Sequence, residues 1–217
     1  MGKTTDVRAA VEKELNFDSM IDARNIKVVN LNGDVTLTGT VPSYPQYVEA
    51  AAGTRRVAGV TGVHNQLEVA LPDKDFRDDD KLITAANNAL TQNVTVPDTV
   101  EAAAEDGNIT LTGTVSYGSQ RAAAEATVAG LVGVRNVADD IDIVYAADPV
   151  DVDLHVQEAL ARSALVADDS DVKADTKEGT ITLTGHVHTW AEHDAVVGVA
   201  QMAIGVVDVR DNLQVTG

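Results

Sequence analysis

The 217-residue chain contains no cysteine, which excludes a disulfide framework, thiolate chemistry and any Cys-based zinc site. Aromatic residues make up only 3% of it, so any surface built on amphipathic rings has few to draw on. No run approaches the ~18 apolar residues that a membrane-spanning helix needs. The start, Met1-Gly2-Lys3-Thr4-Thr5-Asp6, lacks an apolar segment of signal-peptide type, which predicts a cytoplasmic chain, or a periplasmic one if a leader has been removed. Basic residues are scarce, 16 against 34 acidic ones, and the net charge of −18 disfavours passive binding to DNA or RNA. What the chain does have is an ordinary apolar share, 44%, so wholesale disorder is excluded.

The charge is uneven. Residues 1–72 hold 7 basic and 8 acidic side chains, a net of −1; residues 73–146 hold 5 and 13, a net of −8; residues 147–217 hold 4 and 13, a net of −9. The first third alone would not repel an anionic surface outright. Elsewhere the acidity reads as solubilising surface.

Those three segments carry one unit, repeated. Asn32-Gly33-Asp34-Val35-Thr36-Leu37-Thr38-Gly39-Thr40-Val41 recurs as Asp106-Gly107-Asn108-Ile109-Thr110-Leu111-Thr112-Gly113-Thr114-Val115, and again as Glu178-Gly179-Thr180-Ile181-Thr182-Leu183-Thr184-Gly185-His186-Val187. A second landmark, Gly59-Val60 with Val63, returns as Gly133-Val134 with Val137 and Gly205-Val206 with Val209. All three glycines recur at an offset of 74 residues and then of 72, without a gap.

Each unit reads as helix, strand, strand, helix, strand. Opening helices are expected near Asp6–Leu15, Asp80–Leu90 and Val150–Leu160, with Asp148-Pro149 as a capped start for the third. First strands fall near Ile26–Val29, Val100–Ala104 and Val172–Asp175. Asn32-Gly33 and Asp106-Gly107 are favoured hairpin pairs. In the second strand Val35, Leu37, Gly39 and Val41 share one face and Thr36, Thr38 and Thr40 the other, a sheet with one buried and one wet side. Second helices follow, with Tyr47, Ala50, Thr54 and Val57, then Ala124, Val128 and Leu131, then Val196, Ala200 and Ala203 as inward stripes. Gly39 is expected to let helix and strand backbones approach, and Gly59, Gly133 and Gly205 to end those helices. Last strands read Val63–Val69, Val137–Ile143 and Val209–Val215. The expected fold class is α+β: three tandem αββαβ modules (1–72, 73–146, 147–217), each a small mixed three-stranded sheet with two helices on one face. Units this small are marginal alone, so the modules should touch.

Gly33-Asp34-Val35-Thr36-Leu37-Thr38-Gly39 with Gly59-Val60-Thr61-Gly62-Val63, together with the matching segments of the other copies, resembles the BON domain over nearly the whole chain. That resemblance implies a non-enzymatic, osmotic- or envelope-stress-associated role, with binding to phospholipid membranes or to other proteins, and no cofactor. A BON domain joined to a LysM domain is associated with potassium, but no LysM-like segment is present.

The residues themselves offer little catalysis. There is no Gly-x-Ser-x-Gly, no phosphate-cradling loop ending in Lys-Ser/Thr and no Gly-x-Gly-x-x-Gly. Asp168-Asp169-Ser170-Asp171 lacks the glycine and closing glutamate of a calcium loop. His186, His188 and His193 could converge on a metal if strand and helix aimed them together; the alternative is separate surface histidines. For a membrane or partner contact, the first module alone offers cations beside aromatics: Arg24, Lys27, Tyr44, Tyr47, Arg55 and Arg56. An ordinary charged helix end would explain the two arginines equally. Trp190 opens the second helix of the third module, placed either to cap the local core or to meet a partner. Two other readings remain. Exposed edge strands would suit a self-assembling scaffold. Gly59-Val60-Thr61-Gly62 imitates the loop of a KH-like nucleic-acid binder, but the third copy has Asp208 at the second glycine and the acidity argues against it.

Overall fold

In a computed structural model the chain is described over residues 6–144, 152–163, 171–177, 179–203 and 205–216. The first module runs α1 (Val7–Phe17), β1 (Ile26–Leu31), β2 (Asp34–Val41), α2 (Tyr44–Arg55) and β3 (Gly62–Val69). The second runs α3 (Asp79–Gln92), β4 (Glu101–Glu105), β5 (Asn108–Val115), α4 (Gly118–Ala129) and β6 (Asn136–Ile143). The third runs α5 (Val152–Arg162), β7 (Lys173–Lys177), β8 (Thr180–Val187), α6 (Trp190–Met202) and β9 (Asp208–Val215). The expected helix start at Asp148-Pro149 lies outside the described residues, as do Asp168, Asp169 and Ser170 of the acidic cluster.

Each module holds its own mixed sheet, with the threonine-rich strand in the middle. That strand is antiparallel to the first, through pairs such as Val28 with Leu37, and parallel to the last, through Val35 with Val63. Parallel pairing demands a crossover, and the second helix of each module supplies it. The alternation does what its period requires. Val35, Leu37, Ile109, Leu111, Ile181 and Leu183 are fully buried, while Thr38, Thr112 and Thr184 face outward or lie half-covered. At ~1.5–3 kcal/mol for each large aliphatic side chain buried, this row is the main source of cohesion in a module. Opposite it stand Val11 and Leu15 of α1 and Leu82, Ala86 and Leu90 of α3, one buried stripe per helix. The inward face of α2 carries a buried hydroxyl, Thr54, satisfied by the Ala50 carbonyl at 2.8 Å.

The repeated glycines share their geometry across the copies. Gly39, Gly113 and Gly185 have φ of +116°, +127° and +120°, a region closed to most L side chains. The expectation that they admit a helix is corrected by what stands next to them. A Cβ on Gly39 would land on the carbonyl oxygen of Asn25, one on Gly113 on that of Thr99, and one on Gly185 on that of Asp171. The close neighbour is therefore the backbone leading into the first strand. Gly59, Gly133 and Gly205 also have positive φ, yet they lie beyond the helix caps at Arg56, Gly130 and Ala203, in the turn before the last strand. That turn is tied to the hairpin: Thr61 N donates to Gly33 O at 2.8 Å, Arg135 N to Gly107 O at 2.9 Å and Val207 N to Gly179 O at 2.8 Å.

Candidate functional site

The modules meet through their second helices, in the same way each time. The first residue of α2, Tyr44, leaves its own module and joins the core of the second, where it is 7% exposed. Burial there pushes its phenol up, with Glu125 of the second module adding to the shift. Tyr47 stacks on Tyr44 at 5.6 Å between centroids and packs against both cores. The equivalent residue of α4, Gly118, lies against the last turn of α6, where an added Cβ would stand 2.6 Å from Gln201 O. The equivalent residue of α6, Trp190, reaches back to the first module. Its Nε1 donates to Val60 O at 3.1 Å, and the Arg55 guanidinium sits 4.8 Å from its ring centroid. First module to second, second to third, third to first: the three contacts close a ring.

A second trio lies one turn further along each helix. Asn65 Nδ2 donates to Tyr47 O at 2.8 Å, Arg121 Nε meets Asp139 Oδ2 at 2.6 Å, and His193 Nε2 meets Asp211 Oδ2 at 2.7 Å. In each case the strand residue also accepts, through its side-chain oxygen, from the backbone N–H two residues on: Leu67, Ile141 and Leu213. These pairs fix where each helix crosses its sheet.

This architecture decides the placement of every site candidate. His186 pairs with Asp171 at 3.0 Å, His188 with Glu192 at 3.4 Å, and His193, 9% exposed, with Asp211 and edge-on to Trp190 at 4.8 Å. The three therefore do not converge, because β8 ends at Val187 and His188 turns to the start of α6. Among the described residues no group of three or more His, Asp or Glu could hold a metal ion. His186 holds the Asp171 carboxyl below its ordinary range through their hydrogen bond.

Nor does the structure gather the six first-module residues into one free patch. Tyr44 and Tyr47 are taken up by the seam, and Arg55 by Trp190 and by Asp194 at 3.9 Å. Arg56 clamps Glu14, Asp18 and Glu49 at 3.2, 3.0 and 2.9 Å, tying the end of α1 to α2. Arg24 and Lys27 remain exposed at the corner where the chain passes from α1 into β1. Arg24 grips Asp22 in a bidentate pair, which lowers the Asp22 carboxyl to about 2. Phe17, the last residue of α1, is 86% exposed, and Met20, in the turn after it, is 67% exposed and shares a shallow groove with Arg24. Sequence reasoning missed these two, because Phe17 closes an amphipathic helix and looks like part of its stripe, and Met20 is a lone apolar residue in the turn that follows. No described helix is long and apolar enough to cross a membrane.

No curated protein matches the chain significantly. Among solved structures, it is similar at 16% identity to CdsD, a structural protein of the type III secretion system of Chlamydia trachomatis, covering 96% of this chain and 91% of that one with a TM-score of 0.25. The C-terminal domain of CdsD is also similar, at 16% identity and full coverage of both chains, with a TM-score of 0.27. Overlap this low supports no inference about assembly. The family comparison is decisive instead: the model of the BON domain matches residues 3–70, 78–145 and 151–217, the same three stretches that form the three αββαβ modules, and the chain belongs to the BON domain family.

Proposed function

We propose that the chain is a non-catalytic, stress-associated binding protein that docks on anionic phospholipid surfaces through the α1–β1 corner of its first module. The observation that carries this reading is that Phe17 and Met20, both widely exposed, lie on the same stretch of chain from α1 into β1 as the exposed Arg24 and Lys27, in the one module whose charge is nearly balanced. Apolar side chains at a loop can enter the headgroup boundary while neighbouring cations meet lipid phosphates. Arg24 is already paired with Asp22, so the charge offered to a phosphate is that of Lys27, which is exposed and makes no ion pair among the described residues. The −8 and −9 of the other modules would orient the ring, holding those modules away from the membrane.

The test is flotation of the whole chain with phosphatidylglycerol-rich and pure phosphatidylcholine vesicles. The chain should float with the anionic vesicles, and a Phe17→Ser/Met20→Ser variant should stay behind. Equal flotation of variant and parent with anionic vesicles would move the contact away from this corner, and flotation of neither removes the lipid reading and leaves a protein partner, read by pulldown. A self-assembling scaffold would have to pair the edge strands of the three separate sheets, since the head-to-tail surfaces between modules are already used within one chain. The KH-like reading gains no support, because the Gly59–Gly62 turn lies against Gly33 and accepts the Trp190 indole N–H, so the seam between modules occupies it.

A further inference from the structure

The three seams are equivalent in position but not in filling. At the seam between the third and first modules, the indole of Trp190 fills the space, flanked by His193, covered by Arg55 and bonded to Val60 O. At the seam between the first and second, Tyr44 and Tyr47 fill it. At the seam between the second and third, the corresponding residues are Gly118, Arg121, Gln201 and Val206. Gly118 brings no ring, and these same four residues line a cavity of about 150 Å³.

We propose that this cavity is a binding site for a small free aromatic molecule carrying a ring N–H or hydroxyl, of the indole or phenol type. The pocket is half-open with walls more polar than apolar, which suits a ring that carries an N–H or hydroxyl over a plain hydrocarbon. Val206 stands where Val60 accepts the indole N–H, so its carbonyl is placed to accept from the ligand. Arg121 stands where His193 flanks Trp190, and Asp139 holds its guanidinium at 2.6 Å, ready to lie against a ring. Val209 supplies an apolar wall. The chain cannot fill this place from its own backbone. A Cβ on Gly118 would stand 2.6 Å from Gln201 O, so the two helices are too close for a tethered side chain while leaving room beside them for an untethered one.

The experiment uses the full-length protein with indole and with phenol as probes, followed by amide NMR shifts and by emission of the single tryptophan. Saturable shifts should centre on Gly118, Gln201, Val206 and Val207, with Trp190 emission unchanged. Ala122→Leu, an exposed helix position on the cavity wall, should abolish those shifts while keeping the parent's melting temperature. Arg121→Gln should weaken binding by about tenfold, the loss expected for one cation–ring contact. Shifts absent from that seam, binding undiminished in both variants, or a response of Trp190 in place of Gly118 would each overturn the proposal.

Discussion

Trp190 and Val60 are joined by a hydrogen bond of 3.1 Å that spans 130 positions of sequence, from the third module to the first. It is the contact that turns a string of three modules into a closed ring, since the other two seams follow the chain order. Head-to-tail contacts either close or propagate, and here the third returns to the start.

Trp190→Ala should therefore act far beyond its own module. It removes a partly buried ring, a cation–π contact and a hydrogen bond, together about 2–3 kcal/mol. In a chain of this size the melting temperature should fall by roughly 5–10 °C. Limited proteolysis should also cut faster between modules. An unchanged melting curve by circular dichroism would mean that the ring is not closed in solution.

Glycine substitutions should separate by backbone geometry. Gly39→Ala combines a φ of +116° with a collision against Asn25 O, and should destabilise by about 3 kcal/mol or more. Gly198→Ala, inside α6 with open space around it, should stabilise by about 0.5–1 kcal/mol through helix propensity. Denaturant titration of the two variants side by side checks both signs.

Much of this fold was legible in the sequence, for a physical reason. Alternation of Val35, Leu37 and Val41 with threonines, and glycines recurring in register, report local backbone and one-sided burial, which depend on neighbours in the chain. The seams were not legible in the same way. Tyr44, Tyr47 and Trp190 sit at helix starts where they could equally serve their own module, and only the packing of three modules assigns them to the next. The same cause displaced the proposed cationic patch: Arg55 is spent on Trp190 and Arg56 on three carboxylates, and of these four partners only Glu49 is near in sequence. For Gly39 the residue was right and the neighbour was not, since its crowding comes from a strand entrance that sequence spacing does not mark.

The Asp22–Arg24 pair should be visible in a titration. Its hydrogen bond to Arg24 lowers the Asp22 carboxyl from 3.8 to about 2. A depressed carboxylate favours the folded state above its ordinary range, and that contribution is withdrawn as pH falls toward 2. Carbon-detected NMR should give a midpoint near 2 for Asp22, and Arg24→Gln should return it toward 3.8. A midpoint already near the ordinary value in the parent would mean that the pair is not formed.

The repeated strand residue offers the most informative single position. Asp211 accepts from His193 Nε2 at 2.7 Å and from Leu213 N at 3.0 Å, and Asp139 plays both parts in the second module. In the first module the equivalent residue is Asn65, neutral and yet bonded to Leu67 N at 3.3 Å. What the position requires is then an acceptor oxygen at that place, and a charge is not needed for it. Asp211→Asn keeps the Leu213 contact through its one amide oxygen and can turn Nδ2 to donate to an unprotonated His193 Nε2, as Asn65 donates to Tyr47 O, and so should cost less than about 1 kcal/mol. Asp211→Ala strands the Leu213 amide and the His193 ring together, and should cost about 1–3 kcal/mol. Equal losses for the two variants, measured by chemical denaturation, would show that the charge itself holds α6 to its sheet.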